Sequence, residues 1–545
     1  MSNLLNLRLF LVTICYLKLT QILWRIYYYL KPREFIKLNT IKKINNLKIK
    51  TKFLPKPNSI ISKNTFVFLN EIKSIPENLE IERINCSKLW IYNLNYFDFL
   101  NCNMNKIKKS IALDFMERWL GEVKSPNYSG YDPYPTSLRI VNWIKFYLHT
   151  SIMSHNAKLS LINQTHFLYH NLEWHLLGNH ILANAKALIF SGLFFVGEDS
   201  KKWKLKGVQI YKQQLKEQIL QDGGHFEKSP MYHAIILEDI LDIINISNKS
   251  KNMLPLNFRN QLNLTAKKML SWLNIMSYKN GETPNFNDNS SNIYNNIITL
   301  SKYAKKLGIN ATHVYKPSNN ISMKKLQSSG FIRVDQKDTT SFLDVGSIGA
   351  SYIPGHAHAD TLSFEASFFK KRFFVNLGVS TYENSYRRIV ERSTKSHNTV
   401  EVDKKNSTEV WSSFRVAFRA RVFGLKTKKS KSKFYVSCYH DGYSTITKKN
   451  YHYRNWIFDQ NKIFIRDEVT SKNCSAIANF ILHPDIKVIT NDTKEKYILK
   501  TKSDNVYLWV KHGESKLVDK FYAPEFGILR KTKCISISLQ KSKSE

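Results

Sequence analysis

Cysteine is scarce in this sequence, and the few cysteines lie far apart. There are six in 545 residues, and no two of them form a CxxC pair. Their spacing excludes a zinc ribbon and indicates neither a disulfide framework nor a redox motif. One or two disulfides could still form, so cysteine usage does not identify the compartment. The six positions are Cys15, Cys86, Cys102, Cys438, Cys474 and Cys534.

Acidic residues are also scarce relative to basic ones. Asp and Glu total 43 against 82 Lys and Arg, which gives a formal net charge of +39. Such an excess attracts polyanions, a class that includes nucleic acid, anionic lipid and acidic polysaccharide. The lysines are spread along the chain, and no recognised nucleic-acid-binding motif occurs. The charge therefore permits an acidic partner without identifying it, and we do not expect nucleic acid.

Long apolar runs are absent too. Residues 4–30 are rich in Leu, Ile and Tyr, but Arg8, Lys18 and Arg25 interrupt them. No uninterrupted stretch of about 18 apolar residues occurs, and no small-residue cleavage site follows. The segment is a divergent signal anchor, a basic amphipathic helix on a membrane surface, or a helix packed on the protein itself. We favour the last two, so peripheral membrane contact through this segment is an expectation.

Hydrophobic periodicity divides the rest of the chain. From about 85 to 310, apolar residues recur at helical spacing, as in 110–120, 137–148, 166–195 and 231–246. Breakers at 125–127, 132–135 and 221–224 separate these runs, which indicates an α-helical array or toroid. From about 325 the pattern changes to short alternating strands, which favours an antiparallel β-sandwich. These strands are expected at 331–334, 372–375, 398–402, 462–465 and 534–537.

We therefore predict an α+β multidomain protein. Its 545 residues, 43% of them hydrophobic, can bury a large core and should form two or more domains. The predicted units are a basic, amphipathic N-terminal segment with its lead-in (1–84), a helical toroid (85–320) and a β-sandwich (325–545).

The most informative stretch is GHAHADTLSFE at residues 355–365. His356 and His358 are two residues apart, and a strand there would present both imidazoles on one face. They could share a metal, or one could bind metal while the other moves a proton. A single histidine is usually structural, but a third, His397, follows in an SHNT segment. The combination favours a functional site.

The helical half carries a second polar group. Asn179 and His180 lie where a helix should start or bend, and Tyr232 follows a loop at 222–229 that runs into another helix. Asn179 and His180 could simply cap a helix, and Tyr232 could be a core residue. Together with the histidines of the β half, they predict a cleft between the two domains.

These motifs, in this order, resemble the heparinase II/III-type polysaccharide lyases, and the resemblance covers roughly residues 85–545. Residues 16–29 and 90–98 are also similar to a branch of that family encoded with surface-polysaccharide assembly genes. The motifs that carry the resemblance are YPTSLR at 134–139, GNH at 178–180, EKSPMYH at 227–233, GHAHAD at 355–360, SFE at 363–365, RST at 392–394 and HNT at 397–399.

The resemblance implies an (α/α) toroid followed by an antiparallel β-sandwich, with an acidic polysaccharide between them. The implied reaction is β-elimination at a uronic acid, in surface-polysaccharide metabolism. Donors must first neutralise the uronate carboxylate, because loss of the C5 proton builds a second negative charge beside it. A base then takes the C5 proton, and an acid protonates the O4 leaving group.

The family's roles carry over to individual residues. Asn179 would hold the carboxylate, helped by His180, and Tyr232 would be base and acid, or acid alone. His356 would be the base for the other C5 epimer. Because a phenol titrates near 10, Tyr232 would need a cationic field to act as a base near neutrality. Residues expected to supply that field or bind substrate are His233, Glu227, Arg388 and Arg392.

The family's metal, typically zinc, would be bound by His358, residue 376 and His397. An acidic ligand is expected at 376, where this chain has Asn376. An amide oxygen is a weaker, neutral ligand, so affinity for zinc or another divalent ion should fall. The expected role of this metal is structural.

Two other classes stay open. The chain could be a glycan-binding or assembly protein that keeps the lyase scaffold without elimination, and Asn376 favours this. A glycoside hydrolase would need a pair of cleft carboxylates, for which Glu227, Glu173 and Asp222 are the candidates. The resemblance implies the cell envelope or periplasm, while the missing cleavage site leaves the cytoplasm or the inner membrane face open.

Overall fold

The structure is a computed structural model of the 545-residue chain. It describes residues 2–31, 33, 38, 42–122, 128–247, 253–311, 315, 321–430, 432–446, 449–471, 473–490 and 495–539. The predicted breaker at 125–127 lies outside these residues.

The chain begins with two helices and a small sheet. Helices α1 (Ser2–Cys15) and α2 (Leu19–Leu30) are bent by 114° relative to each other, and we call them the N-terminal helix pair. They pack on the protein itself, as one interpretation of the sequence expected. Three short antiparallel strands follow, which periodicity did not reveal: β1 (Ile60–Ser62), β2 (Thr65–Phe68) and β3 (Glu71–Ser74).

Nine helices from α3 to α11 then form the helical part of the described chain, the predicted toroid. Buried Trp90, Trp119, Trp143, Trp203 and Trp272 share one continuous hydrophobic core. The helices are α3 (Lys88–Tyr96), α4 (Lys106–Glu122), α5 (Pro133–Thr150), α6 (His155–His170), α7 (Gly178–Phe194), α8 (Glu198–Gln218), α9 (Pro230–Ser247), α10 (Leu256–Ile275) and α11 (Ile297–Lys306).

The run at 166–195, expected as one helical stretch, is two helices. Residues 171–177 separate α6 from α7, and Leu177 and Gly178 have positive φ values of 64° and 58°. A right-handed helix cannot continue through that conformation. Gly178 also has no room for a side chain, because a Cβ there would lie 2.8 Å from a Glu227 oxygen. The break places the first turn of α7 against the loop before α9.

The second half is built of antiparallel sheets and confirms the predicted sandwich. One sheet has five strands, β4 (Ser322–Leu326), β5 (Phe331–Asp335), β6 (Thr339–Asp344), β7 (Phe364–Phe368) and β8 (Lys371–Phe374), paired in chain order. Next come α12 (Tyr386–Arg392), β9 (Val400–Val402) and the β10–β11 pair (Val410–Trp411, Arg415–Val416).

Three further sheets complete this half. Strands β12 (Val422–Ser430), β13 (Lys433–His440), β14 (His452–Asp459) and β15 (Lys462–Val469) form an antiparallel meander. Strands β16 (Ala476–Ile481), β20 (Glu514–Tyr522) and β21 (Arg530–Ser538) pair in the order β20–β21–β16–β9. Strands β17 (Lys487–Thr490), β18 (Lys496–Lys500) and β19 (Asn505–Trp509) form the last sheet.

Side chains alternate along the meander as the sequence predicts. Every second residue of β13 and of β14 is buried, which is typical of strands with one face on a core. Buried Ile332, Phe364, Trp456 and Ile535 come from three different sheets and belong to one cluster. The described sheets therefore enclose a core separate from that of the helices.

The segment at 355–363 corrects one expectation. It is an irregular loop, and β7 begins only at Phe364. His356 and His358 therefore do not share a strand face. They are brought together instead by a common partner, Asp288, as described below.

Candidate active site

A cavity of about 1080 Å³ lies between the helical part and the sandwich. Asn179, His180, Glu227, Tyr232 and His356 all line it, so the structure brings together five of the residues singled out in the sequence. The wall is completed by the N-terminal helix pair. Basic residues also line the cavity, and these are Arg25, Lys56, Lys88, Lys145, Lys186, Arg415 and Arg419.

The first turn of α7 supplies Asn179 and His180. Asn179 is 6% exposed, and its backbone N–H donates to Glu227 Oε1 at 3.3 Å. The His180 ring lies 4.6 Å, centroid to centroid, from the ring of Tyr134 on α5. A helix start offers unpaired N–H groups and positive electrostatic potential, which suits an anionic ligand group. Asn179 thus presents a neutral amide, beside a histidine, where a carboxylate would be favoured.

Glu173 controls the charge of His180. His180 Nδ1 lies 3.0 Å from Glu173 Oε1, and the other Glu173 oxygen accepts from Asn184 Nδ2 at 3.0 Å. Burial works against the imidazolium, but the Glu173 carboxylate outweighs it and raises the pKa of His180 above its usual value. His180 is therefore suited to carry a positive charge in the cavity.

His356 is oriented by Asp288, a residue of the loop between α10 and α11. His356 Nδ1 lies 2.8 Å from Asp288 Oδ2. An ionised carboxylate can only accept, so Nδ1 carries a proton, and in the neutral imidazole Nε2 then has the lone pair. The His356 side chain remains 14% exposed. This arrangement leaves Nε2 able to act as a base.

Asp288 is held as a carboxylate by a buried arginine. Arg388 donates to it through both terminal nitrogens, one of them at 2.7 Å from Oδ2, and neither side chain is exposed. Burial opposes ionisation of Asp288, but Arg388, with hydrogen bonds from His356 and His358, keeps its pKa well below the usual value. The Asp288–Arg388 pair therefore holds the His356 ring in a fixed orientation.

Tyr232, in the first turn of α9, packs against the His356 ring. The two ring centroids are 3.9 Å apart, and the Tyr232 hydroxyl lies 3.1 Å from that of Tyr382. Burial, with Tyr382 and Asp288 close by, raises the pKa of Tyr232 well above its usual value. Tyr232 is therefore held in its protonated form, which suits a proton donor.

Glu227 has one paired and one unpaired oxygen. Its Oε1 accepts from Asn179, while Oε2 has no hydrogen-bond partner among the described residues and lies 3.9 Å from His356 Nε2. Burial raises the pKa of the Glu227 carboxyl, and the nearby His356 offsets this only in part. Glu227 thus presents a buried polar atom to the cavity beside the base.

Three residues expected to contact substrate, His233, Arg388 and Arg392, do not line the cavity, so that expectation is corrected. His233 is fully buried, stacks on Trp272 and has its Nε2 3.0 Å from the Met269 carbonyl. Burial lowers the pKa of His233 to about 3, so it supplies no cationic field. Arg388 is neutralised by Asp288, and buried Arg392 donates to the carbonyls of Ala357, Ser412 and Arg415. These residues position the loops of the site without lining the cavity.

The expected metal ligands do not form a three-ligand site. His358 Nδ1 and His397 Nε2 face each other at 3.1 Å. Asn376 uses its amide elsewhere: its Oδ1 accepts from the Asn398 N–H and its Nδ2 donates to the Asn285 carbonyl, each at 3.0 Å. No group of three or more His, Cys, Asp or Glu in the described ranges could hold a metal ion. The residues present do not fit a zinc site.

Sequence patterns missed Asp288 and Tyr382, and weighed Glu173 only as a hydrolase carboxylate. Asp288 lies in PNFNDN at 284–289, where an acid among asparagines in a proline-containing loop is a weak signal. Asp222, another hydrolase candidate, is outside the cavity wall and accepts from the Ser329 N–H and hydroxyl.

Comparison with known families agrees with this architecture. Residues 147–311 match the description "Heparinase II/III N-terminus", and residues 319–545 match "Heparinase II/III-like, C-terminal". Together the two matches cover more than half of the chain. The chain belongs to the heparinase II/III-like family.

Curated relatives are similar over part of their length. A heparin-sulfate lyase of Bacteroides stercoris is 29% identical over 270 residues, which are 44% of this chain and 39% of that protein. A heparin-sulfate lyase of Pedobacter heparinus is 26% identical over 246 residues, 42% of this chain and 36% of that protein. The aligned region thus spans less than half the length of these relatives.

Solved structures share the fold. The crystal structure of heparinase III superposes with a TM-score of 0.65 at 17% identity, covering 84% of this chain and 75% of that one. Heparan sulfate lyase HepC of Pedobacter heparinus gives a TM-score of 0.55 at 15% identity, covering 88% and 79%. The helical toroid followed by a β-sandwich is therefore the architecture of this chain.

Proposed function

We propose that the protein is a polysaccharide lyase that cleaves a uronic-acid-containing polysaccharide by β-elimination. The observation that carries this is the contact between the Tyr232 and His356 rings, with His356 Nδ1 bound to Asp288. A protonated phenol and an imidazole with a free Nε2 are an acid and a base on the same wall of one cavity.

The substrate carboxylate is received by the start of α7. Asn179 donates to it, and cationic His180 offsets its charge, so that the C5 proton becomes acidic enough to remove. The four lining lysines are paired with carboxylates, whereas Arg25, Arg415 and Arg419 form no ion pair among the described residues and favour an acidic polymer over a neutral one. Where the bound polymer displaces water from the cavity, these donors act more strongly than they would in solution.

The geometry favours a division of labour between the two central side chains. His356 Nε2 takes the C5 proton, because Nδ1 is committed to Asp288. Tyr232 donates its proton to O4 as the glycosidic bond breaks, because its raised pKa keeps it protonated. Of the two roles expected for Tyr232, the structure supports that of acid alone.

We further propose a role in surface-polysaccharide metabolism at the cell envelope, on the resemblance of residues 16–29 and 90–98 to that branch of the family. An acidic polymer large enough to need a cleft between two domains is the substrate class that the lining fits. A glycoside hydrolase is less well supported, because Glu173 is engaged by His180 and Asn184 and Asp222 lies outside the cavity wall.

The test measures the new C4–C5 double bond by ultraviolet absorbance during incubation with a panel of uronate-containing polysaccharides. Tyr232→Phe should lower turnover by roughly 10²–10⁴-fold, the usual contribution of a general acid. Tyr211→Phe is the matched control, since Tyr211 is also buried and its hydroxyl has no hydrogen-bond partner within the described ranges. Its turnover should equal that of the native protein.

The outcomes separate the alternatives. Unchanged turnover in Tyr232→Phe would remove Tyr232 from the mechanism. Glycan binding without absorbance change in the native protein would favour the binding or assembly role over the lyase. If the native protein neither binds nor cleaves any acidic glycan, the proposed substrate class is overturned.

A further inference from the structure

The N-terminal helix pair has two different apolar faces. One face lines the cavity and includes Phe10, Ile14 and Leu17 on and just after α1 and Ile22 on α2. The apolar character of these residues is explained by their position in the cavity wall. The other face has no such explanation.

The outer face of α2 is an exposed apolar stripe. Leu19, Leu23, Ile26 and Leu30 are spaced i, i+4, i+7 and i+11, which puts them on one side of a helix. They are 69%, 56%, 52% and 73% exposed, and none of them lines the cavity. On α1, Leu7 and Leu11 are exposed in the same way, one turn apart. Contiguous exposed apolar residues on a folded protein mark an interaction surface.

The pair is fixed on the protein, so the stripe is a defined surface. Arg8 pairs with Glu409 of the sandwich, and Lys18 pairs with Glu217 of α8. On α2, Trp24 stacks on Trp174 with ring centroids 6.3 Å apart. The helices are therefore held against both parts of the protein while the stripe faces outward.

The charges around the stripe identify its partner. Residues 1–33 contain five cations and no Asp or Glu. Of these, Arg8, Arg25 and Lys31 are exposed, although Arg8 is also paired with Glu409 and Arg25 also reaches the cavity wall. An apolar stripe flanked by cations matches a bilayer with anionic headgroups, which binds both kinds of group at once. A surface that binds another protein would be expected to carry acidic groups as well as basic and apolar ones.

The dimensions favour lying on the membrane over crossing it. Helix α2 has 12 residues, about 18 Å at 1.5 Å per residue, against a hydrocarbon core of about 30 Å. Among the described residues no single helix is long and apolar enough to cross. Asn6–Cys15 and Leu19–Leu30 reach the required length and composition only as a pair bent by 114°.

We propose that the outer stripe of the N-terminal helix pair binds the surface of an anionic lipid bilayer. Because the inner face of the same helices lines the cavity, this binding places the cleft wall next to the membrane. The polymer that enters the cleft would then be one held at the membrane surface. The lipid contact does not depend on the proposed lyase activity, since no catalytic residue lies on the stripe.

The experiment is flotation of the full chain with vesicles of phosphatidylcholine, with and without phosphatidylglycerol. The native protein should float with the anionic vesicles and much less with the neutral ones. The triple variant Leu19→Gln, Leu23→Gln, Ile26→Gln should lose at least tenfold in vesicle affinity. A matched control replaces three exposed apolar residues of the sandwich, Ile489, Tyr507 and Trp509, by Gln and should float like the native protein.

Three results would overturn the proposal. One is absence of flotation with anionic vesicles, provided circular dichroism shows a folded protein. Another is equal loss in the stripe and control variants, which would make the contact nonspecific. The third is a concentration-dependent dimer in lipid-free buffer that the stripe variant abolishes, since the stripe would then be covered by a second copy of the chain. Elimination activity is not measured in any arm, so failure here leaves the proposed function untouched.

Discussion

Replacing Asp288 by Asn should destabilise the protein strongly, although the two side chains have the same shape. The substitution removes the negative charge that pairs with Arg388. Neither the Asp288 nor the Arg388 side chain is exposed. A buried ion pair that loses one partner leaves the other charge uncompensated, at a cost of about 3–5 kcal/mol. In Asp288→Asn, the uncompensated group is the Arg388 guanidinium.

The expected change can be measured as a fall in Tm. For a domain of about 150–250 residues, 1 kcal/mol corresponds to about 2–4 °C in Tm. The lower bound of about 3 kcal/mol therefore predicts a fall of at least about 6 °C by scanning calorimetry. Asp519→Asn is the control, because its pair with Lys533 is exposed and such pairs contribute about 0–1 kcal/mol.

The pH dependence gives an independent check on the same pair. The pKa of Asp288 is lowered in the folded protein, whereas in the unfolded chain it should be near 3.9. A lowered folded pKa contributes stability that is fully present above the unfolded pKa and is lost as pH falls through the folded pKa. The Tm gap between native and Asp288→Asn should hold from about pH 8 to about pH 5 and narrow only below about pH 4.

A double variant separates loss of the pair from loss of a side chain. Asp288→Asn with Arg388→Met removes both charges and should recover much of the lost stability, because replacing a buried pair by uncharged groups is often close to neutral. The reasoning is refuted if Asp288→Asn melts within about 1 °C of the native protein at neutral pH. It is also refuted if the double variant is as unstable as the sum of the single changes.

Three further expectations follow from the site. Asn179→Ala should lower kcat/KM by about 10²–10³-fold, measured by absorbance, because one donor to the uronate carboxylate is lost. Glu173→Gln should lower the pKa of His180, so KM should begin to rise at lower pH than in the native protein, and an unshifted KM–pH profile would contradict this. Extended chelation with EDTA should change neither Tm nor turnover, because the Asn376 amide is committed to Asn285 and Asn398; a clear fall in Tm together with released zinc would show a metal site instead.

The fold could be predicted from periodicity because the signals are local. Helical spacing identified α4, α5 and α9, and alternation identified the strands at 331–334 and 462–465. The three short strands at 60–74 were missed because each has only three or four residues. Alternation of apolar and polar residues over three or four positions is a weak signal for a strand.

The site was predictable only in part, because its decisive contacts are distant in sequence. Asp288 is 68 residues from His356 and 100 from Arg388 along the chain, and no local spacing connects them. Arg388 was expected to supply a cationic field at Tyr232 or to bind substrate, which a buried and paired guanidinium does not do. Burial of Arg388 is possible only because Asp288 is buried with it, and that partner could not be identified from the sequence.

The N-terminal segment shows a different limit. Its apolar residues fall on both sides of the helices, so neither amphipathicity nor length could separate packing from membrane contact. The structure separates the two sets: Ile14 and Ile22 line the cavity, while Leu19 and Leu23 point away from it into solvent. Two of the three interpretations of this segment are therefore compatible, since one face packs while the other is free to bind lipid.

The proposed catalytic groups depend on the contact between the two halves of the protein. Tyr232 and Asn179 come from the first turns of two toroid helices, whereas His356 comes from a loop of the sandwich. Asp288 lies on the helical side of the boundary and orients His356 across it. Neither half alone therefore contains both an oriented base and an acid. A change that separates the halves should abolish elimination even where each half stays folded, because the lone pair of His356 Nε2 would no longer be directed beside Tyr232.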